Sequence, residues 1–157
     1  MLRDRIGGRA SRRRVDVPGT MSAATKSELR QMWLALMREP WTSMAVVPSD
    51  RGVPLESVMG VAAELADLNQ CHVAEARGLS VADSVKLNQK IEQVVVGGSR
   101  AIVAVDPLTE SLAAITIATQ ASCALVVVKL GVSQMDSVKT AAAIVGPARL
   151  AGTVVIG

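Results

Sequence analysis

The stretch Met44-Ala-Val-Val-Pro-Ser-Asp-Arg-Gly-Val-Pro-Leu-Glu-Ser-Val58 reads as a buried strand, a tight turn and the start of a helix. A loop that cradles phosphates sits at such a junction. It needs glycines that let backbone N–H groups approach the anion, a lysine for the terminal phosphates, and a Ser or Thr for magnesium. Gly52 is present, but Pro54, Leu55 and Glu56 stand where Gly, Lys and Ser/Thr are required. Pro54 has no N–H to offer. Glu56 places a carboxylate in the first helical turn, where the helix dipole would otherwise favour a bound anion. The frame reads as one built for a nucleotide, with the nucleotide chemistry removed.

Working outward, the apolar periodicity alternates between strand and helix. Before the opening strand, Thr25–Met37 places Leu29, Met32, Trp33 and Leu36 on one face at helical spacing, and Pro40 closes the helix. After the turn, Leu55, Val58, Met59, Ala62, Ala63 and Leu65 predict a helix with Pro54 at its first turn. Strands are predicted at Met44–Val47, Cys71–Ala74, Ala101–Val105, Ala124–Val128 and Ala151–Ile156, with further helices over 81–95, Thr109–Gln120 and Gln134–Val145. The strands are continuous β-branched runs rather than alternating ones, which indicates a sheet covered on both faces. The expected fold is a three-layer, doubly wound α/β domain with a mostly parallel sheet of about five strands. Ligands of such sheets gather beyond the carboxyl ends of the strands, where Ser49–Gly52, Glu75–Gly78, Asp106–Glu110 and Lys129–Ser133 are expected to converge.

Half of the 157 residues are apolar, enough for one real core and too few for two independent domains. The net charge of +3 comes from the amino-terminal arm, since residues 1–20 hold six arginines against Asp4 and Asp16. From Met21 onward eleven basic residues face twelve acidic ones, which gives no support for a nucleic-acid-binding face. The expected division is a disordered basic arm over 1–24, or a translation start at Met21, followed by the α/β domain over 25–157. The arginine block could also touch an anionic surface. No apolar run reaches the length of a membrane span and no secretory h-region is present. Cys71 and Cys123 lie in apolar runs as small buried hydrophobes, which fits a reduced, cytoplasmic setting.

Catalytic and metal constellations are sparse. His72 is the one histidine and sits in a strand, as a structural residue would. One His and two Cys cannot fill a four-ligand zinc site, so no metal is expected. Ser49 and Ser57 have no base nearby in sequence and no nucleophile elbow. Asp106, followed by proline at the end of a strand, reads equally as a turn acid and as a remnant metal ligand. With no Phe or Tyr in the chain, Trp33 and Trp41 carry all the aromatic surface. Core packing is their default role and a partner interface the alternative.

In its order of segments from Glu28 to Gly157 the chain resembles the cytoplasmic domain of bacterial tyrosine kinases of the polysaccharide co-polymerase type, relatives of the MinD and ParA ATPases. The resemblance rests on the entry helix around Glu28-Leu-Arg30, on Val46-Val-Pro-Ser-Asp-Arg-Gly52, and on Ala101-Ile-Val-Ala-Val-Asp-Pro107. It rests also on Ala118–Val138, a strand ending in Gly-x-Ser and then a helix, and on Leu150-Ala-Gly-Thr-Val-Val-Ile156. The family's nucleotide-site positions fall on Ser49, Asp50, Arg51, Gly52, Leu55, Glu56, Ser57, Glu75 and Asp106. Among these the Walker A lysine is replaced by Leu55 and the magnesium-binding hydroxyl by Glu56. The second acidic motif falls on Glu75, and the Walker B aspartate matches Asp106.

The absence of tyrosine rules out the family's self-phosphorylation on a tyrosine-rich tail in cis. Its ring-forming entry-helix motif survives only as Glu28, Arg30 and Trp33 in broken spacing, which puts such a ring in doubt. The resemblance therefore implies a catalytically silent pseudokinase, a scaffold in the biosynthesis and export of a surface or exopolysaccharide. No cofactor and no catalytic residue are expected. Glu28, Arg30, Trp33 and Trp41 would meet an inner-membrane polysaccharide co-polymerase, a kinase-like subunit or a second copy, holding the protein in the cytoplasm at the inner membrane. The alternative is an atypical nucleotide-binding ATPase or switch of the MinD-ParA type. It would use ATP and magnesium, with Arg51 in place of the lysine alongside Ser49, Gly52, Ser57 and Asp106. A ParA-like positioning protein would need nucleotide-driven dimerisation and lacks the same lysine.

Overall fold

The computed structural model describes residues 3–5, 23–36, 40–69 and 71–157. In chain order its elements are β1 (Arg3–Arg5), α1 (Ala23–Leu36), β2 (Ser43–Pro48), α2 (Leu55–Asn69), β3 (His72–Ala76), α3 (Val81–Val96), β4 (Ala101–Val105), α4 (Leu112–Gln120), β5 (Cys123–Lys129), α5 (Met135–Val145) and β6 (Leu150–Ile156). They form one six-stranded sheet in the order β1-β3-β4-β2-β5-β6. The five strands from β2 to β6 run parallel, as their continuous apolar runs imply.

Strand β2 lies at the centre, buried along its whole length, and its alternate side chains enter two separate cores. Met44 and Val46 pack with Leu29 and Trp33 of α1 and with Val58, Val61 and Leu65 of α2. Ala45 and Val47 face Leu87 of α3, Ile117 of α4 and Val145 of α5. Each fully buried Val, Leu or Ile contributes on the order of 1.5–3 kcal/mol, and both faces of the sheet use this term. The second face is rich in alanine (Ala45, Ala74, Ala76, Ala113, Ala114, Ala118 and Ala124), so helix and sheet backbones can approach closely there. The chain leaves β2 toward β3 and β4 on one side and returns across it to β5 and β6 on the other. The turn after β2 therefore opens at the point where the winding reverses, where a ligand crevice is expected.

Three differences from the sequence reading have local causes. Helix α4 starts at Leu112 rather than Thr109, because Pro107–Glu110 closes a turn (Glu110 N–H to Pro107 O, 3.0 Å) and the Ser111 hydroxyl then caps the helix through the Ala114 N–H at 3.1 Å. Cys71 donates its N–H to Ala66 O near the end of α2, so β3 begins one residue later and runs on to Glu75 and Ala76, in register with Ala104 and Val105. Two short parts of the arm expected over 1–24 fall in regular elements. Arg3–Arg5 pairs antiparallel with Val73–Glu75, covering an edge whose backbone groups would otherwise lie open, and Ala23 and Ala24 already belong to α1. The rest of that arm, residues 1–2 and 6–22, lies outside the described residues, as does Met37 at the expected end of the entry helix.

Candidate nucleotide-like site

Segments distant in sequence meet at the carboxyl ends of the strands, as expected. The Ser49 N–H continues the β2–β5 ladder by donating to Val127 O at 2.9 Å. The Ser49 side chain, 1% exposed, donates from Oγ to Ser133 Oγ at 3.0 Å. Ser133 Oγ also accepts the Lys129 N–H at 2.9 Å, which tightens the loop that leaves β5.

Asp50 organises the turn. Its Oδ1 accepts the Gly52 N–H at 2.8 Å, and its Oδ2 accepts the Gln134 N–H at 3.0 Å at the start of α5. One carboxylate thus takes up a turn amide beside α2 and the leading amide of α5, the kind of donors that a bound phosphate would use. α5 gains an anion at its positive end, where Gln134 itself supplies no side-chain cap. Gly52 is needed for space. A Cβ added there would lie 2.5 Å from Val132 Cγ1 and 3.0 Å from Asp50 Oδ1, so the loop after β5 is laid directly across the turn.

The other expected positions lie in the turn after β2, at the start of α2, in β3 and just after β4. Arg51 is mostly exposed and its Nε is paired with Glu110 Oε1. Leu55 opens α2 half-buried, Glu56 is exposed in its first turn, and the Ser57 N–H donates to Pro54 O at 3.0 Å. Asp106 follows β4 and accepts the Gly78 N–H at 2.9 Å, so its carboxylate fixes the turn after β3, where Gly78 has φ +63°. Glu75 lies within β3, 3.7 Å from Arg77 Nε. Among the described residues no three His, Cys, Asp or Glu side chains gather as a metal site.

Of the expected interface residues, Glu28 and Arg30 are exposed on α1. Trp33 and Trp41 are buried, 7% and 4% exposed, in the core packing that is their default role. Their rings meet edge to face at 5.9 Å, and the Arg100 guanidinium stacks over Trp41 at 4.8 Å. With no other aromatic side chain in the molecule, they fill the space under α1. Sequence reasoning placed Val132 only as part of Lys129–Ser133 and missed its contact with Gly52, along with Gln134 and the internal use of Asp50. The one local signal was Asp50-Arg-Gly52, in which Asp side chains commonly bond the backbone two residues on.

No sequence-family model matches the chain, and no curated protein sequence does. Solved structures do match. The chimerical protein CapA2B2 superposes with a TM-score of 0.64 at 11% identity, over 89% of this chain and 86% of that one. The BceF tyrosine kinase domain superposes with a TM-score of 0.60 at 13% identity, over 85% of this chain and 76% of that one. The chain has a tyrosine-kinase-like fold. Its five parallel strands interleaved with helices match a fold like that of the phosphate-loop nucleoside triphosphatases. No helix among the described residues is long and apolar enough to cross a membrane.

Proposed function

We propose that the chain is a catalytically silent tyrosine-kinase-like domain that acts by binding other proteins, as a scaffold in the biosynthesis and export of a surface or exopolysaccharide. The observation that carries the silence is the Asp50 carboxylate, which accepts both the Gly52 and Gln134 amides and so supplies an anion from within the chain. Pro54, Leu55 and Glu56 agree with it, since the first lacks an N–H, the second lacks the ammonium, and the third adds a further negative charge. ATP and magnesium do not fit these residues. The site is held in one state rather than switched by nucleotide.

The polysaccharide setting rests on the resemblance and on the likeness to a tyrosine kinase domain. The proposed partner is an inner-membrane co-polymerase or a kinase-like subunit, met through the exposed side of α1 that carries Glu28 and Arg30. That contact would hold the protein at the inner membrane without a span of its own.

The competing reading is an atypical nucleotide switch in which Arg51 replaces the lysine. The Arg51–Glu110 pair opposes it, because Glu110 already engages that guanidinium. Titration calorimetry with ATP and magnesium separates the two. The scaffold reading expects no binding heat; micromolar binding that disappears in Arg51→Ala would establish the switch.

A further inference from the structure

We draw no further inference here: the strongest candidate, the cavity between α3 and α4 where Asn88, Glu92 and Gln120 stand over Ile91 and Ile117, carries nothing because the Asn88 amide nitrogen, buried without a partner, has no surface from which to meet a ligand, and nothing else in the structure says what would occupy the space.

Discussion

The Asp50 carboxylate accepts the backbone N–H of Gln134 at 3.0 Å, joining the turn after β2 to the residue that leads into α5 across 84 positions of sequence. The same side chain holds the Gly52 amide. Replacing it removes both bonds and the anion at the head of α5. Asp50→Ala is expected to lower stability by about 1–3 kcal/mol, since hydrogen bonds to a charged group are worth more than neutral ones. Urea denaturation measures this, and a change below about 0.5 kcal/mol would show that the carboxylate is incidental to the turn.

Gly52 and Val132 form the second contact of the same turn. Gly52→Ala would drive its methyl to 2.5 Å from Val132 Cγ1, an overlap that must displace the Val132 side chain or the loop that carries it. A loss of about 1–3 kcal/mol is expected. Val132 is half exposed, so Val132→Ala alone should cost little and should recover most of the loss in the double variant. A double-mutant cycle reads this coupling directly, and additive effects would separate the two residues.

Trp33 and Trp41 lie in the core and should behave accordingly. Trp33→Ala is expected to cost about 3–5 kcal/mol, as truncation of a buried aromatic does. A protein of unchanged stability with altered self-association would instead return Trp33 to a surface role. By contrast, the mostly exposed Arg51–Glu110 pair should contribute little, and Arg51→Ala should shift stability by less than about 1 kcal/mol.

Restoring the missing groups tests whether the anion seat is filled as well as stripped. Leu55→Lys with Glu56→Ser supplies the ammonium and the hydroxyl but leaves Asp50 in place. Adding Asp50→Ala to these two changes should tighten ATP binding at least about tenfold over the double variant, by calorimetry. Equal affinities would mean that Asp50 does not compete with phosphate.

The architecture was legible because it rests on local pattern. Continuous runs such as Ala101–Val105 announced buried parallel strands, and Pro54, Gly97 and Pro40 marked helix boundaries that the structure reproduces within a few residues. The strand-end segments were also placed together correctly, since the topology alone brings them there. What escaped were contacts that leave no periodicity. Neither Asp50 with Gln134 nor Gly52 with Val132 has a sequence signature, because each pair is joined only when the sheet closes. Strand β1 escaped because three residues within an arginine-rich arm carry no apolar alternation. For the tryptophans the sequence left two roles open, since a ring under α1 and a ring on a partner surface call for the same residue type.

The central claim is that this turn holds its own carboxylate where a nucleotide's phosphates would lie. A crystal grown with magnesium and a non-hydrolysable ATP analogue tests it most directly. The account predicts no ordered phosphates against residues 50–57, with Asp50 still bonded to Gly52 and Gln134. A triphosphate ordered on the Gly52 amide, with the Asp50 side chain turned away, would contradict it.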